Sequence, residues 1–135
     1  MSDPDAEARA LVAGHGDFAA GIVSAVGQIT GRGDAFVPLS NRDMSAADVE
    51  RAMREQVDAR ALEVIFTDLP AGSCTMAARR LQRERPSIVL VTGTNLATLL
   101  DFVFHTDVPA VEAARHAADK GRAALVVTGG STGGH

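Results

Sequence analysis

The sequence predicts an α/β fold: a doubly wound, mostly parallel sheet of strand order 2-1-3-4 with helices on both faces. Three observations carry that expectation. Short apolar runs alternate with stretches of helical periodicity along the chain. The runs are nearly continuous in apolar residues, as strands covered on both sides are. Small or polar residues, many of them glycine, stand where a strand would hand over to a helix.

Residues 8–14, ARALVAG, make a first strand ending in glycine, and Phe18, Ile22, Val26 and Ile29 recur at helical spacing up to Gly31. Residues 34–40, DAFVPLS, form a weaker strand that Pro38 assigns to an edge. Ser45 with Asp48 resembles a capping box, Val49, Met53 and Val57 make one stripe, and Glu50/Arg54 and Arg51/Glu55 stand as i,i+4 pairs. Residues 61–68 are a third strand, 71–85 a helix opening on a small-residue loop, and 87–93 a fourth strand. Leu96, Leu99, Leu100, Val103 and Phe104 give the next helix its apolar face. Asp107 is placed to cap a last helix, with Pro109 in its first turn and its end near Gly121, before a short strand at 123–127, AALVV.

At 135 residues, 46% hydrophobic and 22% charged, the chain suits one domain, expected over 1–127, with a flexible Gly-rich tail at 128–135. The net charge of −4 and the absence of Trp and Tyr argue against a nucleic-acid partner. Cys74 alone excludes an intrachain disulfide, and no N-terminal run is basic then apolar, so a cytoplasmic location is expected. No apolar stretch approaches the about 20 residues needed to cross a bilayer.

In a sheet of this order, ligands sit beyond the carboxyl ends of the strands, at the switch between strands 1 and 3. Strand 1 ends at Gly14-His15-Gly16, strand 3 at Thr67-Asp68 and strand 4 at Gly93-Thr94-Asn95, which makes His15 and Asp68 neighbours. The flanking glycines permit a sharp turn and let another molecule approach the imidazole closely. A carboxylate bonded to Nδ1–H would fix the tautomer and leave the Nε2 lone pair outward, as a nucleophilic histidine requires. Backbone N–H groups at the start of the first helix, with Gly16, and at the Ala71-Gly72-Ser73 loop could hold an anion bound to the ring. The pattern points to a phosphoryl group.

At these residues the chain resembles the enzyme IIA component of the mannose family of the bacterial phosphoenolpyruvate-dependent sugar phosphotransferase system. LVAGHGDFAAGIVSAVGQITG is similar to that family's phosphorylation-site segment, IFTDLPAGSCTMAARR to its acidic and glycine-rich loop, and VTGTNLATLLDFV to its fourth strand and following helix. The stretches TDL and TGTNLATLLD lean toward the N-acetylgalactosamine-type branch. The resemblance implies that His15 accepts a phosphoryl group at Nε2 from the phosphocarrier protein HPr and passes it to an enzyme IIB, with Asp68 orienting the ring. Gly16, Gly72 and Ser73 would hold the phosphate, and membrane permease subunits would follow downstream. It further implies a homodimer that exchanges its last strand, and no cofactor. Where the family usually reads Gly-Gly-Ser/Thr-Pro-Phe, this chain has Ala71-Gly72-Ser73-Cys74-Thr75 after Pro70.

Blander readings stand beside these. Asp68 and Ser73 could be helix caps, Thr94 and Asn95 caps of the fourth helix or part of the cleft, and Cys74 a small buried residue or a thiol activated at a helix start. Arg79, Arg80, Arg83 and Arg85 suit a solvated face or an acidic partner. His105 suits a helix C-terminus, and neither it nor His116 belongs to a metal-like cluster, so no metal is expected. Other functions in view are a regulatory phosphotransferase protein without transport, the phosphotransferase subunit of dihydroxyacetone kinase, and a flavodoxin-like domain binding a small phosphorylated ligand.

Overall fold

The computed structural model describes residues 8–131. Four strands, β1 (Ala10–Gly14), β2 (Phe36–Ser40), β3 (Val64–Thr67) and β4 (Val89–Val91), form one sheet of order β2-β1-β3-β4 with every neighbouring pair parallel. The helices between and after them are α1 (Phe18–Thr30), α2 (Ala46–Arg60), α3 (Ser73–Glu84), α4 (Leu96–Phe102) and α5 (Ala110–Ala124). This is the doubly wound α/β fold, with β2 and its Pro38 at an edge as expected.

The pleat divides the core. Along β1, Leu11 and Ala13 point to one face, where they meet Val49, Met53 and Val57 of α2 and Ala77, Ala78 and Leu81 of α3. Ala10 and Val12 point to the other, packing with Val26 of α1, Leu99 and Phe102 of α4 and Ala113 and Ala117 of α5. Phe36, Phe66 and Phe102 cluster there with centroids 5.1–6.0 Å apart, mostly edge to face. Arg9 ties the amino end of β1 to the α4–α5 turn. Its guanidinium donates to the His105 and Val108 carbonyls at 3.0 and 3.1 Å and lies 5.5 Å from the Phe102 ring centroid.

Several local expectations give way to tertiary contacts. The Ser45/Asp48 capping box forms, but Arg51 pairs with Asp48 and Arg54 with Glu84 of α3 in place of the i,i+4 partners, and Arg85 pairs with Asp58. Ile29 and Phe104 are exposed: the buried stripe of α1 runs through Ala19 and Val26, and α4 ends at Phe102. α5 starts after Pro109, which occupies the N-cap, so Asp107 does not cap it.

The last strand expected at 123–127 does not form within the single chain. α5 runs on through Ala124, because Gly121 lets it pass against the α4 cap: an added Cβ there would lie 2.1 Å from Thr98 Oγ1. Leu125, Val126 and Val127 follow as coil without a strand partner, 83%, 69% and 93% exposed. β4 consequently keeps one flank open and is only half-buried. Beside it lies a groove of about 840 Å³ lined by residues 86–93, Gln82 of α3 and Ala114, Gly121 and Leu125 at α5. Residues 128–131 are exposed coil, and 132–135 of the expected tail lie outside the described residues.

Candidate active site

His15 and Asp68 meet at the carboxyl ends of β1 and β3. The ring Nδ1 of His15 lies 2.8 Å from Asp68 Oδ2, and the His15 backbone N–H donates to the same oxygen at 2.9 Å. Two bonds to one oxygen fix both the backbone and the ring of His15, and they direct Nε2 away from the carboxylate. The imidazole is 50% exposed and the carboxylate 11%. Burial pushes the Asp68 carboxyl up; the bonds from the His15 backbone and ring, with the ring's charge, outweigh it and hold the carboxyl below its ordinary value. Its other oxygen, Oδ1, is buried and accepts no hydrogen bond from the described residues, so His15 is the partner that balances this charge.

The glycines around the imidazole have separate reasons. A Cβ on Gly14 would lie 2.6 Å from Phe18 Cδ2 and 2.9 Å from Asp68 Oδ2, so this position is empty to admit the carboxylate and the first side chain of α1. Gly16 has φ +54°, a left-handed conformation that glycine adopts without strain. Gly72 also needs its residue type, with φ +106° and a hypothetical Cβ 3.2 Å from His15 Cε1. The close approach inferred for an incoming molecule is thus made by the chain itself: Gly72 brings the start of α3 against the Cε1–Nε2 side of the ring.

Ser73 is the first residue of α3, and its Oγ accepts from Asn41 Nδ2 at 2.9 Å. Asn41 follows β2, whose carboxyl end opens on the same rim. Ser40 Oγ donates to the Gly16 carbonyl, and Arg42 pairs with Asp17 at 3.1 Å, next to Gly16. Ser40, Asn41 and Arg42 are the residues that sequence reasoning missed. Their signal was present, since a polar run after a parallel strand lies at the ligand-binding end of the sheet.

Other residues resolve to structural roles. Asn95 and Thr98 form a reciprocal capping box on α4, and Asn95 Nδ2 donates to the Gly121 carbonyl at 2.8 Å. Thr75 is buried, and its hydroxyl lies 2.7 Å from that of Thr67 and donates to the Leu69 carbonyl, anchoring the loop between β3 and α3. Cys74 is buried; burial first, then the charge of Asp68, pushes its thiol up to about 11, the opposite direction from an activated thiolate. Arg79, Arg80 and Arg83 are solvated. At the far end of the sheet Asp101, His105 and His116 bring ligand atoms within 4.8 Å of one another, a spatial cluster that residues far apart in sequence do not announce.

The family model described as "PTS system fructose IIA component", EIIA-man, matches residues 9–119. Among solved structures, the chain is similar to the phosphotransferase system component EIIA from Streptococcus agalactiae at 23% identity and TM-score 0.77, covering 88% of this chain and 95% of that one. It is similar to the mannose/sorbose specific IIA subunit from Enterococcus faecalis at 18% identity and TM-score 0.76, covering 93% and 98%. The PTS IIA protein associated with the fucose utilization operon from Streptococcus pneumoniae follows at 23% identity and TM-score 0.75, covering 90% and 93%. At such identities these structures speak for the fold alone. No curated protein matches the sequence. The family model, which spans most of the chain and both sides of the His15–Asp68 pair, decides the assignment: this protein belongs to the EIIA-man family of phosphotransferase system IIA components.

Proposed function

We propose that this protein is a phosphohistidine carrier in which His15 accepts a phosphoryl group from HPr and delivers it to an enzyme IIB for sugar uptake through membrane permease subunits. One observation carries the reading: His15 Nδ1 is committed to Asp68 Oδ2 while the ring is half open to solvent. In the accepting step, Nε2 attacks the phosphorus of the donor phosphohistidine. A new P–N bond forms as the donor's breaks, and the proton stays on Nδ1, held by Asp68. The phosphorylated ring carries more positive character than neutral imidazole, and the charge of Asp68, whose Oδ1 has no partner among the described residues, stabilises it. Gly72 lies against the Cε1–Nε2 side of the ring, and on this reading Gly16, Gly72, Ser73 and the backbone N–H groups at the α3 N-terminus hold the phosphoryl oxygens.

The carrier acts as a cytoplasmic homodimer. No helix among the described residues is long and apolar enough to cross a membrane. The unpaired flank of β4 and the exposed apolar segment Leu125-Val126-Val127 support exchange of this segment between two copies.

Phosphoenolpyruvate, enzyme I and HPr are expected to label the wild type with an acid-labile, alkali-stable phosphate and to leave His15→Ala unlabelled. Chase onto an enzyme IIB should then discharge the wild type. Equal labelling of the alanine variant would refute the assignment.

A further inference from the structure

We propose that Asp101, His105 and His116 form a binding site for a divalent transition-metal ion of the zinc class, at the end of the sheet opposite His15. The site is assembled from two elements. Asp101 lies in the last turn of α4, His105 in the turn that follows, and His116 in the second turn of α5.

His116 Nδ1 lies 2.7 Å from Asp101 Oδ2, and His105 Nδ1 lies 3.5 Å from the same oxygen and 2.9 Å from the Asp101 carbonyl. The rings lie tilted by 42° with centroids 4.4 Å apart, and the Nδ1 atoms of both stand within 3.5 Å of one carboxylate oxygen. The three ligand atoms all lie within 4.8 Å of one another. Tetrahedral zinc with bonds of about 2.0–2.2 Å requires neighbouring ligands about 3.3–3.6 Å apart. Small torsions of three side chains therefore close the set around an ion. Two imidazoles and one carboxylate are the donor types that favour zinc over magnesium or calcium, and three protein ligands leave a fourth position for water.

The backbone beneath the cluster is held in advance. Arg9 fixes the His105 and Val108 carbonyls, and Asn95 bonds to the Gly121 carbonyl, locking α5 to α4. His116 is half exposed, so an ion has a path in, while Asp101 is largely covered. On binding, Oδ2 exchanges the His116 N–H for the cation, and the His105 ring leaves the Asp101 carbonyl to reach it. Each ring then presents its Nδ1 lone pair to the ion and carries its proton on Nε2, the Nδ1 proton leaving through water.

Zinc titration of the full chain against a chromophoric chelator tests this, with circular dichroism confirming the fold of each variant. The wild type is expected to bind one Zn²⁺ at this site, with Mg²⁺ and Ca²⁺ failing to compete, and to melt at higher temperature when loaded. His116→Gln, His105→Gln and Asp101→Asn should each weaken that binding about tenfold or more and abolish the shift in melting. His15→Gln should leave both unchanged, which separates this site from the phosphoryl-carrier reading. Zinc binding retained by folded His116→Gln and Asp101→Asn, lost in His15→Gln, or missing from the wild type would overturn the proposal.

Discussion

Asp68 holds His15 twice through one oxygen, once at the backbone and once at the ring. The backbone bond survives any substitution that keeps an acceptor at position 68, whereas stabilisation of a positively charged ring requires the carboxylate. Asp68→Asn is therefore expected to fold normally and to accept phosphoryl from HPr about tenfold or more slowly. Rapid-quench labelling kinetics measure this, and unchanged rates would leave Asp68 as a structural tie.

The same carboxyl gives a pH signature. Its value in the folded state is below the ordinary 3.8, so it contributes stability above that pH, and the contribution is lost as the pH falls through the depressed value. Urea unfolding of wild type and Asp68→Asn should accordingly converge as the pH drops from about 5 to below 3. A constant gap across that range would contradict the linkage.

Gly14→Ala places a methyl group against Phe18 and the Asp68 carboxylate. A stability loss of about 1–3 kcal/mol is expected, together with slower labelling, because the intruding Cβ pushes the carboxylate off the imidazole. Denaturant midpoints and labelling rates report the two effects, and a fully stable, fully active variant would show that the site yields more than its packing suggests.

Most of the sheet was legible from the sequence. The β1 and β3 runs alternate between two buried faces, so their apolar continuity marks them without ambiguity. The site was legible too as a pair: parallel strands at a switch point bring His15 and Asp68 together whatever the loops do. What escaped was set by contacts between distant residues. Arg54 prefers Glu84 across two helices to Glu50 on its own, and α5 overruns Gly121 because that glycine packs on Thr98 instead of ending a helix. The three-residue cluster around Asp101 depends on the seating of α5 against α4, which periodicity alone does not specify.

Cys74 should be inert in the folded protein. With its thiol near 11 and its side chain buried, reaction with a disulfide reagent at about pH 8 is expected to run about 100-fold or more slower than in urea. Equal rates in the two conditions would place the thiol at the surface.

If the exposed Leu125-Val126-Val127 segment pairs with another copy as proposed, removing the residues after Ala124 should yield a monomer where the full chain gives twice the monomer mass by light scattering. A full-length monomer, or a dimer that survives the deletion, would exclude the exchange.

Arg9 and His15 flank the two ends of β1 and face different surroundings: the guanidinium grips the turn after α4, and the imidazole opens to solvent beyond the opposite rim. Because all four strands point the same way, the molecule has two chemically unlike poles. A tether or surface that grips the turn at 103–109 would leave the imidazole of His15 unobstructed, so the protein can be immobilised by its base while the His15 rim stays open to solvent.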